Sequence, residues 1–225
     1  MVADGAKMTY ITREHARLAL SDMKKFNTEL QSLYGRHGLS MASNTGRRNM
    51  MMSQPQERFF ANALSSSFSG VKNDGNTGAA DILIGELDKE LECKLTTPYK
   101  SGAVVFQTDY ATLQKKKKLD YLYVIADKSF ENFIAIHYTG LEVTDFAKPH
   151  ASGRGKAKML KHVALPKRRV IWGNIHDKNE IRLKKLNTQL DNCSQRAVKK
   201  REKLLKQIEH WKTTPTEFVY EFEAA

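Results

Sequence analysis

Asp81 is followed by Glu92-Cys93-Lys94, two carboxylates and an ammonium with an apolar residue between the last pair. Phosphodiester hydrolysis needs an activated water and neutralised charge on the phosphoryl oxygens and the leaving group. Carboxylates suit hard Mg²⁺, which takes oxygen ligands and keeps several of its waters. Asp81 and Glu92 are therefore candidate metal ligands, and the backbone carbonyl of Cys93 is a candidate third. The Lys94 ammonium can orient a water, lower its pKa or stabilise charge on phosphorus. The Cys93 side chain reads as a small buried apolar group rather than a nucleophile.

With 14 Glu and 25 Lys in the chain, a Glu-x-Lys triplet alone carries little weight. Placement gives it weight. Residues 80–84 (ADILI) and 90–95 (ELECKL) read as two strands joined by the short connection 85–89. Side chains two apart in a strand share a face, so Glu92 and Lys94 point the same way, and the hairpin puts Asp81 with them. Ile82, Ile84, Leu91, Cys93 and Leu95 line the opposite face. Asp22-Met23-Lys24 has similar spacing but falls in a helix, where residues two apart diverge. The plain alternative for the trio is a solvent-facing ladder of ion pairs.

The elements around this hairpin follow from the hydrophobic period. A first helix is expected from about Thr12, its N-cap, to Tyr34. Residues 40–53 are polar, with Asn44, Gly46, Arg47 and Arg48, and read as a loop. A second helix follows with Pro55 in its first turn and Phe59, Phe60, Ala63, Leu64 and Phe68 on its buried face. A short helix opens near Thr108 and ends in four lysines, with Asp109 supporting its start. Residues 119–126 and 132–138 are two more strands. A long helix, or two, spans about 179–212, and residues 218–222 add an edge strand. The fold class is α/β (α+β), a mixed β-sheet core flanked by helices, within a single domain over 1–225.

This order resembles the PD-(D/E)xK nuclease superfamily: a helix with an acidic residue, a strand with Asp, a strand with Glu-x-Lys, then a helix and another strand. Type II restriction endonucleases are its most similar members. The resemblance covers about residues 55–138 as a catalytic core and implies a restriction-endonuclease-like sheet. It makes Asp81 and Glu92 metal ligands and Lys94 the catalytic lysine. Glu57 matches the acidic residue of the preceding helix, and Gln107 a polar position that some members place at the site. Ala80 stands where the family has proline.

Thirty-seven Lys and Arg against 25 Asp and Glu give a formal charge of +12. Residues 148–212 hold 19 of those cations and only 5 carboxylates, and a concentrated positive field points to a polyanion. From 149 to 176 there is no acidic residue. A DNA-contacting loop is expected over about 148–176, through Arg154, Lys156, Lys158, Arg168 and Arg169. Arg47 and Arg48 are further DNA-binding candidates, since Arg makes bidentate contacts to guanine. In the C-terminal segment Leu186, Leu190, Cys193, Ala197, Leu204, Ile208 and Trp211 recur near a 3.5-residue period, a seam for packing or for a homodimer.

Other chemistries lack their motifs. The seven histidines show no zinc-ligand spacing, and there is no phosphate-binding glycine loop or nucleophile elbow. No apolar run approaches a membrane span. The N-terminus lacks a secretory core and two cysteines suit a reducing compartment, so a cytoplasmic protein is expected. The expectation is a Mg²⁺-dependent endonuclease acting on double-stranded DNA as a homodimer, of type II restriction style, with a possible cognate methyltransferase. The alternatives are a structure-selective nuclease, such as a junction resolvase or phage recombination nuclease, and a non-enzymatic nucleic-acid-binding protein.

Overall fold

The computed structural model describes residues 9–41, 44–73, 79–149, 155–194, 197–214 and 217–225. Two helices open the chain: α1 (Arg13–Arg36) and α2 (Thr45–Ser65). Thr12 caps α1 as expected, its hydroxyl accepting from His15 N–H while His15 returns a bond to the cap. The loop expected over 40–53 is instead mostly helix. Asn44 is the N-cap of α2, its side chain accepting from Arg47 N–H at 3.0 Å. From there Arg and Met residues are good helix formers. Pro55 consequently lies inside α2 rather than in its first turn.

Then come β1 (Val71–Lys72), β2 (Ile82–Ile84), β3 (Lys89–Thr96), β4 (Gln107–Asp109), α3 (Tyr110–Lys116), β5 (Lys118–Ala126) and β6 (Asn132–Glu142). The chain continues through β7 (Phe146–Ala147), β8 (Lys156–Met159), α4 (Lys161–Ala164) and β9 (Arg169–Trp172). It ends with β10 (Asn174–Asp177), α5 (Lys178–Asp191), α6 (Val198–Thr213), β11 (Phe218–Glu221) and β12 (Glu223–Ala224). The fold is mixed α/β, with six α-helices and a mixed sheet among the described residues.

The single domain expected over 1–225 divides into two compact units. The larger holds the described residues of Met1–Gly173 with Phe222–Ala225, and the smaller is Asn174–Glu221. In the larger unit the main sheet runs β1-β2-β3-β5-β6-β12, with β9 also on β6. β2 and β3 are antiparallel, whereas β3 and β5 are parallel, so the chain must cross over between them, which it does through β4 and α3. One face of the sheet buries Ile82, Ile84, Leu91, Cys93, Leu122, Val124 and Phe133 against Leu20 and Met23 of α1 and Met52, Phe60 and Leu64 of α2. The other face carries Tyr121, Tyr123 and Tyr138; Tyr121 packs on Phe146, and Tyr123 on Phe106 and Tyr138. That side is covered by a second sheet, β4-β8-β7.

The smaller unit is a helical pair, α5 and α6, with the antiparallel ribbon β10–β11. Of the one long helix or two expected over about 179–212, two are present, and the expected seam is in part a packing contact between them. The first stops at Asp191, a second starts at Val198, and the two pack on each other. Cys193, Leu204 and Ile208 are buried within this unit. Among the described residues no helix is long and apolar enough to cross a membrane.

Candidate functional site

β2 and β3 pair in the register Ile82↔Leu91, so Asp81, one residue before β2, stands opposite Glu92. Paired residues share a face, and Glu92 and Lys94 share it by the two-residue period. Lys94 Nζ lies 2.6 Å from Glu92 Oε1 and 3.6 Å from Asp81 Oδ2. One ammonium thus bridges two carboxylates that do not otherwise meet. Asp81 is further fixed by its own strand. Its Oδ2 accepts from Cys93 N–H at 2.7 Å, and its carbonyl accepts from Asn73 Nδ2 at 2.7 Å.

A strand residue directs its N–H and C=O to the same neighbour. The Cys93 carbonyl therefore faces the edge where Asp81 stands, as its candidate ligand role requires. The Cys93 thiol points into the helix-covered core, and burial pushes its pKa well up. That excludes it as a thiolate at neutral pH.

Glu57 comes to the site from α2. Half-buried, it is pushed up to about 7 by burial first and then by the charge of Asp81, against a hydrogen bond from Asn73 and the charge of Lys94. Glu92 is also raised, by burial foremost. Burial alone would lower Lys94, but the adjacent Glu92 and Asp81 outweigh it and hold the ammonium above the usual lysine value. Burial foremost, and then the net negative charge of three carboxylates around one ammonium, lifts Glu57.

Tyrosines frame this cluster in a way sequence reasoning missed. Glu92 pairs with Tyr121 and Lys94 with Tyr123 across the parallel ladder. The Tyr121 hydroxyl meets Thr108 Oγ1 at 2.9 Å, and the Tyr123 hydroxyl donates to Gln107 O at 3.0 Å. Those bonds hold β4 over the site, so Gln107 lies on a strand rather than at a helix start. The signal was present in the Tyr-Leu-Tyr alternation of residues 121–123. Gln56, fully buried, was also missed; its Nε2 donates to Lys94 O at 3.3 Å.

The basic candidates separate into different places. β8 pairs with β4 in the register Asp109↔Lys156 and Gln107↔Lys158, and both lysines are exposed. Lys156 lines the same cleft as Lys94 and Gln107. Arg169 lies on β9, and the path β3-β5-β6-β9 puts it three strand spacings from Glu92, about 14 Å. Arg168 Nη1 donates to the Leu165 carbonyl. Arg154 lies outside the described residues. Arg47 is exposed in the first turn of α2.

Arg48 is a correction. It is 1% exposed and cannot read DNA. Its guanidinium donates to the carbonyls of Lys128 and Asp127 and to Thr97 Oγ1, and stacks 4.8 Å from the Phe130 ring centroid. A charged group fully removed from water must find such partners.

Among the described residues no group of three or more His, Cys, Asp or Glu forms a ready-made metal cage. The donor set nonetheless fits Mg²⁺, which is held by one or two carboxylates with its remaining positions filled by water and substrate. The Lys94 ammonium already occupies the place between Asp81 and Glu92 that a cation would share. No family model matches this chain, and no curated protein matches its sequence.

Proposed function

We propose that this protein is a Mg²⁺-dependent endonuclease that hydrolyses double-stranded DNA, with the PD-(D/E)xK core of a type II restriction enzyme. The observation that carries the reading is the convergence of Asp81, Glu92 and Lys94 on one face of a β2–β3 hairpin, with Glu57 brought in from the preceding helix. The antiparallel pair followed by a crossover to a parallel β5 supports it.

Mg²⁺, when held by Asp81, Glu92 and the Cys93 carbonyl, supplies Lewis-acid polarisation of the phosphodiester. Lys94 Nζ is placed to hydrogen-bond the attacking water or a non-bridging phosphoryl oxygen. Glu57 is held near neutral pH and suits the acceptance of a proton from that water. The water oxygen forms a new bond to phosphorus as the bond to the leaving oxygen breaks, and that oxygen takes a proton from solvent. Lys156 and Lys158 sit where phosphates of the strand would pass. Among its described residues each chain carries one such cluster and would cut one strand, so a double-strand cut takes two chains, assembled as a homodimer.

A second reading, a structure-selective nuclease, is favoured by the small volume of the cleft beside Lys94, about 240 Å³. Incubation with long duplex DNA and Mg²⁺ followed by sequencing of the ends tests both. Recurrent sequence at the ends supports the restriction reading, and ends confined to junctions or overhangs support the other. Asp81→Ala and Lys94→Ala should each lower cleavage at least about 100-fold with an unchanged circular dichroism spectrum. Full activity in Asp81→Ala, or cleavage persisting in excess chelator, would refute the assignment.

A further inference from the structure

The cleft beside Lys94 does not end there. A second one, about 550 Å³, shares Thr96, Val105, Gln107 and Lys156 with it and runs on to Tyr99, Lys100 and Lys128. Shared lining makes the two adjoining clefts, the second leading away from the candidate site. No carboxylate lines the outer part, and Lys100, Lys128 and Lys156 make no ion pair among the described residues. The outer part of the groove is therefore cationic, whereas Asp109 lines its inner end beside Lys94.

Tyr99 stands at its outer end. It is among the most exposed of the large apolar residues, 60% accessible, yet its backbone is held firmly. Tyr99 N–H donates to the Ala103 carbonyl and its own carbonyl accepts from Gly102 N–H, each at 2.9 Å. Gly102, at φ +79°, allows that closed turn. The floor is equally fixed, because Thr97 is tied to Asn49 and to the buried Arg48. A cationic groove with an aromatic ring on a rigid turn has the two ingredients that recognise an unpaired polynucleotide strand: phosphate-tracking charge and a stacking platform. Its volume is that of a small-ligand cleft and suits one extended strand rather than a duplex.

We propose that this groove seats an unpaired DNA strand next to the scissile phosphate, with Tyr99 stacking on a base and Lys100, Lys128 and Lys156 on the phosphates. The proposal rests on the hydrolytic reading in its structure-selective form for where the strand leads, and it makes the substrate a DNA in which one strand leaves the duplex beside the cut, as in an overhang, flap or fork.

Binding can be read without cleavage, by fluorescence anisotropy of a short labelled oligothymidylate and of a blunt duplex in metal-free buffer with chelator. Wild type should prefer the oligothymidylate. Tyr99→Ala should weaken that binding about tenfold and Tyr99→Trp should preserve it. The double variant Lys100→Gln, Lys128→Gln should weaken it and flatten its salt dependence by about 0.7 for each phosphate left without its cation. These residues are on the surface, so folding is not at stake. Variants that bind oligothymidylate as wild type does, or that lose only duplex binding, would overturn the groove assignment. A parallel Mg²⁺ reaction on forked DNA separates it from the hydrolytic reading. Tyr99-dependent binding without cleavage of any DNA supports the groove and sinks the nuclease; cleavage with Tyr99-independent binding does the reverse.

Discussion

Glu57 is the residue at the site whose proton is most finely balanced. Burial and the neighbouring Asp81 raise it from 4.5 to about 7, so the native chain holds this proton more tightly than the unfolded chain. Between those two pH values the unfolded form has released a proton that the folded form keeps. Stability from this group therefore falls as pH rises through the window and levels off above it. Glu92, also raised by burial, acts in the same direction. Glu57→Gln should remove the Glu57 part of the slope. Urea unfolding of both proteins across pH 4.5–7.5, without divalent cations, reads it as a gap that closes toward low pH, with the variant the more stable at the high end. Parallel profiles would show that Glu57 is not held up by burial and by Asp81 as described. At this scale Asp81, Glu92 and Lys94 were legible because a strand's two-residue period is a local property. The fate of Arg48 was not, since its partners Asp127 and Lys128 lie about 80 residues away.

The elements repeat that contrast. The β2–β3 hairpin and the strands β5 and β6 appear in the sequence because their apolar residues alternate or run together between turns. The start of α2 was hidden because Asn44 and Gly46 look like loop and Pro55 looks like a first turn, whereas Asn44 is a cap ten residues upstream of where the helix was expected. That early start carries Arg48 into the interior, where it ties α2 to the end of β3 and to the turn after β5. Arg48→Ala would leave two carbonyls without their donor and remove a fully buried side chain, and should cost about 3 kcal/mol, measured as a lowered urea midpoint. A surface DNA contact would instead leave the midpoint unchanged and weaken binding. β8 gives the opposite kind of residue: Ala157 and Met159 point inward while Lys156 and Lys158 are exposed. Lys156→Gln with Lys158→Gln should leave unfolding unchanged and flatten the salt dependence of duplex binding by about 0.9 for each phosphate left without its cation. An unaltered slope would place both lysines off the DNA.

For the whole molecule, the excess of cations and the cluster of Asp81, Glu92 and Lys94 bear on how two strands would be cut under the proposed nuclease activity. The charge of +12 favours association with any DNA before a productive arrangement is found. The apolar row at the C-terminus looked in sequence like a pairing seam because a 3.5-residue period is the same whether a helix meets another chain or its own continuation. The break between Asp191 and Val198 turns it into an internal contact between α5 and α6, so that surface is not available to hold two free chains together. Under the proposed nuclease activity, a homodimer could then form on the DNA, where the two-fold symmetry of a duplex would place a second cluster on the opposite strand. Supercoiled plasmid reports this directly. At low protein concentration nicked circles should accumulate first, and the linear product should rise more steeply than the nicked one as protein is added. Linear product formed with no nicked precursor, in constant ratio at all protein concentrations, would mean that the chains are already paired before they meet the DNA, through a surface other than the α5–α6 contact.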